Sequence, residues 1–484
     1  MPPTPPPLPR ALARTPGTTL RTRIYRACLD AIVDGRMAPG TRLPSARQLA
    51  ADWRVSRNTV DDAIAALQAD GVLVRRVGAG TFVAQAAPAP AALRPPSAFA
   101  RTALAEVSRW SRRAAATHAP GAVPRAHAFV AGLADLRAFP LDRWRRITAT
   151  RLRTGGSALL GYPPSAGLPA LRSAVARHLA LARGIACAPE QVAIVNSAMQ
   201  AVDLVVRMLL ERGDRAWLED PAYQGLRATL AMAGVRTVAV PVDADGLDVA
   251  AGIARAPRAA LVHVTPCCQY PLGTTMSAAR RAALLDWAAR RGAWIVEDDY
   301  QSEFFHDGRP PAALAALDRS GRVLHLGTFT SAAFPSLRLA WIVLPPSLVD
   351  TFEAVRGQLD HHSHAIAQAV LADFIDGGHL AAHLRRMRTL YRARRDALVA
   401  ALARHGVDGT RLVAAHAGMH VALRLPRGRS DRAVTAAAAA RGVAVMPLSR
   451  YARHVRVSGL LLGYTALDEG AIERGVARLA PLLR

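Results

Sequence analysis

Apolar positions recur at helical spacing over Arg21–Asp34, where Ile24, Leu29, Ile32 and Val33 form one stripe. Gly35 and Ala38-Pro39-Gly40 then turn the chain, and SARQLAADW predicts a second helix that Ser45 can cap after Pro44. A short Arg-Val turn leads to Ser56, a second capping serine, and to SRNTVDDAIAALQAD. There Val60, Ala63, Ile64 and Leu67 share a face and leave Arg57, Asn58 and Asp61 outward. GVLVRRVGAGTFV changes the period and predicts two short strands around a glycine-rich turn. From about Ala126 onward, strand-like runs (QVAIVNS, RAWLED, TVAVPV, AALVHVTP, AWIVEDD, VLHLGTF) alternate with helical stretches, which predicts an α/β domain with a largely parallel sheet. No internal repeat is visible.

Three helices followed by a two-stranded wing predict a winged helix-turn-helix over residues 18–86. Residues 1–17, rich in Pro, Thr and Arg, are expected to be disordered. Residues 87–125, rich in Ala, Pro and Arg, are expected to be a linker, with a short helix around Ala100–Ala116, ahead of the α/β domain at 126–484.

Composition narrows the partners. With 484 residues and an apolar fraction of 51%, two domains with a sizeable core are expected. The net charge of +26 suits a polyanion such as DNA. All 62 basic residues are arginine and none is lysine, so a GC-rich coding bias explains part of that charge. The four cysteines, Cys28, Cys187, Cys267 and Cys268, fit neither a disulfide framework nor a zinc site, so no metal is expected and a reducing cytoplasm is. The start, MPPTPPPLPR, lacks the apolar core of a signal peptide, and no apolar run approaches the ~18–20 residues that span a bilayer, so no membrane partner is expected.

PGTRLPSARQLAADWRVSRNTV, followed by DGVLVRRVGAGTFV, resembles the DNA-binding domain of the GntR family nearly motif for motif. The helix starting at Ser56 is then expected to enter the major groove, with Arg57, Asn58 and Thr59 in its first turn. The resemblance implies base or phosphate contacts from Arg42, Ser45, Arg47 and Ser56. It also implies wing contacts from Arg75, Arg76, Gly78 and Gly80, where glycine allows close approach to the minor groove. Asp61-Asp62 departs from the family pattern and is read as facing solvent.

The second domain resembles the fold-type-I aminotransferase domain of MocR-type GntR regulators, whose cofactor is pyridoxal phosphate (PLP). GYPPSAGLPALR, NSAMQAVDL, WLEDPAYQG, HVTPCCQYPLG, AWIVEDDYQSEF and GTFTSAAFPSLRLAW come in the family's order. The overall expectation is an α/β chain: an N-terminal winged helix-turn-helix joined by a linker to a PLP-dependent-transferase-like domain. The resemblance assigns the phosphate cradle to Ser197 and Ala198, ring stacking to Tyr223, the pyridine-nitrogen partner to Asp298 and the ring-oxygen partner to Tyr300. Thr328, Thr330 and Arg338 would take phosphate.

Ser331 occupies the position of the Schiff-base lysine, and a hydroxyl cannot form an imine. Ser197 stands for a glycine, Met199 for a glutamine and Cys268 for a histidine, which weakens the cradle and the ring contacts. Leu461 stands where aminotransferases carry an arginine that clamps a substrate carboxylate. Cys267-Cys268 is read as two small apolar fillers rather than a redox element.

Covalent PLP is therefore not expected, and noncovalent PLP stays open. The expected function is a DNA-binding transcriptional regulator whose aminotransferase-like domain is catalytically inactive, forms a homodimer and takes a small-molecule effector. The alternatives are a PLP-dependent aminotransferase with an accessory DNA module, which needs an absent lysine, and a degenerate sensor domain that has lost PLP.

Overall fold

Thr19, Ser45 and Ser56 each sit one residue before a helix, and each side-chain oxygen accepts a hydrogen bond from a backbone N–H three residues on. Caps of this kind stabilise a helix by about 1 kcal/mol each. In the computed structural model, which describes residues 8–9, 11–13, 17–85, 111 and 129–483, they open α1 (Leu20–Val33), α2 (Ala46–Trp53) and α3 (Arg57–Ala69). The strands β1 (Leu73–Arg76) and β2 (Gly80–Val83) pair antiparallel, with Arg76 opposite Gly80. Ile24, Leu49, Trp53, Val60, Ile64, Leu67, Leu73 and Val83 close one core beneath the three helices and the wing.

The chain divides into two compact units, residues 1–113 and 114–484. The stretch 87–125, expected as a linker, lies outside the described residues except for Ser111, and so does the helix expected within it. The first residues differ from expectation. Within 1–17, Leu8 is buried in the first unit's core, and the Trp53 indole N–H donates to the Pro9 carbonyl at 2.8 Å. The Arg23 guanidinium donates to the carbonyls of Leu12 and Ala13. Trp53 needs a cover that the three helices leave open, and Leu8-Pro9 supplies it.

In the second unit the large sheet contains β3 (Val192–Val195), β4 (Arg215–Asp220), β5 (Arg236–Asp243), β6 (Gly246–Leu247), β7 (Leu261–Val264), β8 (Trp294–Asp298), β9 (Val323–Thr328) and β10 (Ala340–Val343). Their order is β3-β10-β9-β8-β7-β4-β5-β6. The pairs β9–β8, β8–β7, β7–β4 and β4–β5 are parallel, while β10 and β6 run antiparallel to their neighbours. Every residue of β3, β7 and β10 is buried, as expected for a sheet covered on both faces. All six runs read as strands from the sequence are strands here.

A smaller antiparallel sheet follows the 26-residue helix His379–Arg404. It comprises β11 (Leu412–Val413), β12 (His420–Arg424), β13 (Met446–Pro447) and β14 (Gly459–Gly463), in the order β11-β12-β14-β13. No helix among the described residues is long and apolar enough to cross a membrane.

Candidate nucleic-acid interface and ligand cavity

The first unit exposes arginines at the start of α3, on the wing and on and before α2, among other places. Arg57 and Asn58 are exposed at the start of α3, with Thr59 half-buried behind them. Ser45 and Ser56 serve as caps: the Ser45 oxygen accepts from Gln48 N–H and the Ser56 oxygen from Thr59 N–H, each at 3.2 Å. Arg57 Nε lies 3.4 Å from Asp61 Oδ2, one helical turn on, with both side chains more than half exposed. Asp61 therefore faces solvent, as read, and it also neutralises part of the charge that α3 offers.

Arg42 and Arg47 are exposed on the approach to α2 and on α2 itself, and Arg75 and Arg76 are exposed on the wing. The Arg76 guanidinium lies over the Phe82 ring at 5.0 Å, and Arg42 bridges to Phe82 across the wing's base. Gly78 and Gly80 both take positive φ, 77° and 113°. A Cβ on Gly80 would approach Arg42 Nε to 3.0 Å, so this glycine lets the Arg42 side chain lie along the wing.

The second unit gathers its candidate residues at the carboxyl ends of parallel strands, where open α/β sheets place their ligands. The β3 end leads to Ser197, the β4 end to Tyr223, the β8 end to Asp298 and Tyr300, and the β9 end to Thr328, Thr330 and Ser331. These residues, with Ala198, line one cavity of about 360 Å³. Ser197 Oγ caps the helix Ala198–Leu209 by accepting from Gln200 N–H at 3.1 Å. Thr328 caps the short helix Phe329–Ala332, and its hydroxyl donates to Thr330 Oγ1 at 3.0 Å. Ser331 lies in that helix, 7% exposed, and its hydroxyl donates to the Tyr300 carbonyl at 2.8 Å.

Asp298 lies 3.5 Å from His263 Nε2 through one carboxylate oxygen, and its other oxygen is buried without a partner. The Tyr300 hydroxyl reaches only the Cys268 sulfur, at 3.9 Å, and burial raises its pKa well above the ordinary tyrosine value. Burial also pushes the Cys268 thiol up to about 12, and all four cysteines are free. Cys267 and Cys268 are both buried, which suits small apolar fillers.

One assigned residue falls elsewhere. Arg338 follows the turn Pro335–Leu337 with φ of 52°, is exposed, and is not among the residues lining the cavity. A dianionic phosphate would therefore meet no guanidinium among the described lining residues. Leu461 is buried in β14 opposite Ala422 and contributes no charged group.

Among the lining residues that the sequence reading did not single out are Glu219, His263 and Tyr270. Glu219 is fully buried and accepts from Thr265 Oγ1 at 2.6 Å and from Gln269 Nε2 at 3.2 Å; burial still raises its carboxyl above the ordinary value. The Tyr270 and Tyr451 hydroxyls meet at 3.1 Å, and Tyr223 stands edge-on to Tyr270 at the cavity rim, 48% exposed. A histidine and a glutamate inside otherwise apolar strands were the available signal.

Comparison with known proteins agrees with both units. Residues 20–83 match the model for bacterial regulatory proteins of the gntR family, and residues 134–478 match that for aminotransferase class I and II. The probable rhizopine catabolism regulatory protein MocR of Rhizobium meliloti is 39% identical over 97% of this chain and 94% of its own. The HTH-type transcriptional regulator TauR of Rhodobacter capsulatus is 33% identical, over 96% and 97%. Among solved structures, the kynurenine aminotransferase of Pyrococcus horikoshii, in complex with PMP, is similar with a TM-score of 0.70 at 27% identity, over 80% of this chain and 96% of that one. A gntR-type DNA-binding domain followed by an aminotransferase class I and II domain, aligned along nearly the whole length of a MocR protein, places this chain in the MocR-like family of transcriptional regulators.

Proposed function

We propose that the chain regulates transcription by reading operator DNA with α3 and the wing, while its second unit dimerises and takes a noncovalent small-molecule effector. The observation that carries the DNA part is the capped α3, whose first turn exposes Arg57 and Asn58 beside an arginine-bearing wing. Arg57, Asn58 and Thr59 would read base edges; Arg42, Ser45, Arg47 and Ser56 would contact bases or backbone near α2; Arg75, Arg76, Gly78 and Gly80 would follow the minor groove.

Dimerisation is supported by the apolar residues Leu152, Leu160 and Tyr162, which are 58%, 78% and 89% exposed on the second unit. Two copies would present two α3 helices to paired half-sites. A cytoplasmic location accompanies this reading.

The residues present do not fit covalent PLP. Ser331 stands at the lysine position, its hydroxyl is committed to a backbone carbonyl, and the chain contains no lysine elsewhere. We read the domain as catalytically inactive. The unpartnered Asp298 oxygen still suits a ligand that offers a protonated ring nitrogen or another cation, while the lack of arginine in the lining disfavours a phosphate. Selection of binding sites from random DNA, followed by gel-shift titration at fixed salt, tests the regulator reading. Recovery of a motif with paired half-sites is the expected result; uniform weak binding to all sequences would count against it.

A further inference from the structure

Residues 18–86 hold ten arginines against six acidic residues, whereas residues 126–484 hold 44 against 29. The DNA-reading domain thus carries only four of the chain's 26 excess positive charges. One stretch of the second domain concentrates the rest. Residues 377–395 contain six arginines, two histidines and no acidic residue, and they open the helix His379–Arg404. The helix Leu141–Thr154 adds five arginines against one aspartate and has no fully buried residue.

Helical spacing sorts Leu141–Thr154 into faces. Trp144 and Arg151 turn toward the helix Ala365–Asp376, Trp144 edge-on to Phe374 and Arg151 paired with Asp373. Leu141 and Leu152 lie on one shoulder of that inward face. Arg143, Arg146 and Arg153, all exposed, follow the other shoulder. Burial lowers the His379 pKa, and the nearby charges of Arg143 and Arg146 lower it further, which sets this shoulder beside the start of His379–Arg404. Two turns on from His379, Arg385 and Arg386 are exposed side by side.

The carboxylates around this face are engaged elsewhere. Asp142 pairs with Arg145 at 3.2 Å, Asp376 with Arg177 at 2.6 Å, and Asp307 with Arg392 and Arg395 at 3.0 and 2.9 Å. Farther along the long helix a second cavity, about 550 Å³, opens beside the β8 end; Asp299 lines it, as Asp298 lines the first. Its acids belong to the interior. Asp299 is buried and accepts from Arg183 Nε at 2.6 Å, and burial raises Glu303 to about 7. Among the described residues, Arg143, Arg146, Arg153, Arg385 and Arg386 form no ion pair. Five uncompensated like charges on two neighbouring helices repel one another, a cost that a polyanion removes.

We propose that this face is a second DNA contact, with Arg143, Arg146, Arg153, Arg385 and Arg386 taking backbone phosphates outside the paired half-sites. Arginines spread over two helices suit a run of phosphates better than one small anion. They carry no sequence information and add affinity alone. A second copy of this chain is a poor occupant, because symmetric packing across the patch would set arginine against arginine. The proposal rests on DNA as the partner and not on which bases α3 reads.

Anisotropy titrations of the full chain against two duplexes test it. One carries the half-sites alone; the other adds about 20 base pairs of random sequence, roughly 70 Å, on each side. At low salt the longer duplex should bind wild type at least about tenfold more tightly. With Arg143→Gln, Arg146→Gln, Arg385→Gln and Arg386→Gln combined, that gain should fall to about twofold or less, while the short duplex binds within about twofold of wild type. Lysine at the same four positions should restore the gain, since charge alone is needed. A gain equally large in the glutamine variant, or no gain in wild type, would overturn the proposal. So would a glutamine variant that turns monomeric in light scattering, which would assign the face to a second copy. Loss of binding to the short duplex by Arg57→Ala, with the flank-dependent gain kept, would separate the α3 reading from this one.

Discussion

Ser331 spends its hydroxyl on the carbonyl of Tyr300, tying the position that resembles the Schiff-base lysine to the strand end that carries Asp298. The side chain there holds backbone in place and offers no amine. Purified protein mixed with PLP is expected to show no internal-aldimine band near ~420 nm, a feature of the imine chromophore. A borohydride-reducible PLP adduct on a side chain would refute this.

Arg57 is the guanidinium best placed on α3 to meet a base edge. Arg57→Ala is expected to lower operator affinity by about ten- to hundredfold, the worth of one good bidentate base contact. Oligomeric state by light scattering should not change, because the side chain is exposed. Unaltered affinity in a gel-shift titration at fixed salt would remove α3 from the recognition role.

Asp61 has the opposite sign and the same address. Asp61→Asn frees Arg57 from its one-turn partner and removes a negative charge facing the phosphates. Affinity for random-sequence DNA should rise by about three- to tenfold at low salt, and the gain should shrink as salt increases. A loss of affinity would mean that Asp61 orients Arg57 productively.

Three buried histidines set the acid limit. Burial lowers His306, His383 and His420 to about 4 each. The unfolded chain takes up these protons near pH 6.5, but the folded chain resists until about pH 4. Stability is therefore fully present above pH 6.5 and falls as pH drops through that window. Each histidine removes on the order of 2–3 kcal/mol, so together they approach the whole stability of an ordinary domain. Urea unfolding midpoints measured from pH 7 to pH 4 should fall steeply, and His383→Gln should flatten the slope; a midpoint independent of pH would contradict the burial of these rings.

The sequence showed most of the scaffold because its signals are local. Ser45 and Ser56 announce helix starts by their own side chains, and each strand of the large sheet is a short apolar run that needs no partner to be recognised. The cavity was legible where a motif ended a strand, as at Asp298 and Thr328. Glu219 and His263 escaped because their inward aim depends on strand alternation and on which face the neighbouring helices leave open. Arg338 takes a left-handed backbone, is exposed and is absent from the cavity's lining, and the surrounding letters do not reveal that backbone choice. Leu8 escaped because its partner, Trp53, is far along the chain.

The twin carboxylates at the β8 end carry a consequence for how this molecule can drift. Exchanging Asp298 or Asp299 for another residue alters one chamber and leaves its neighbour's wall intact. Inserting or deleting a single residue anywhere in Trp294–Asp298 would turn the strand over and present each chamber with the other's chemistry. Descendants of this sequence should therefore vary in letters along β8 while keeping its length fixed.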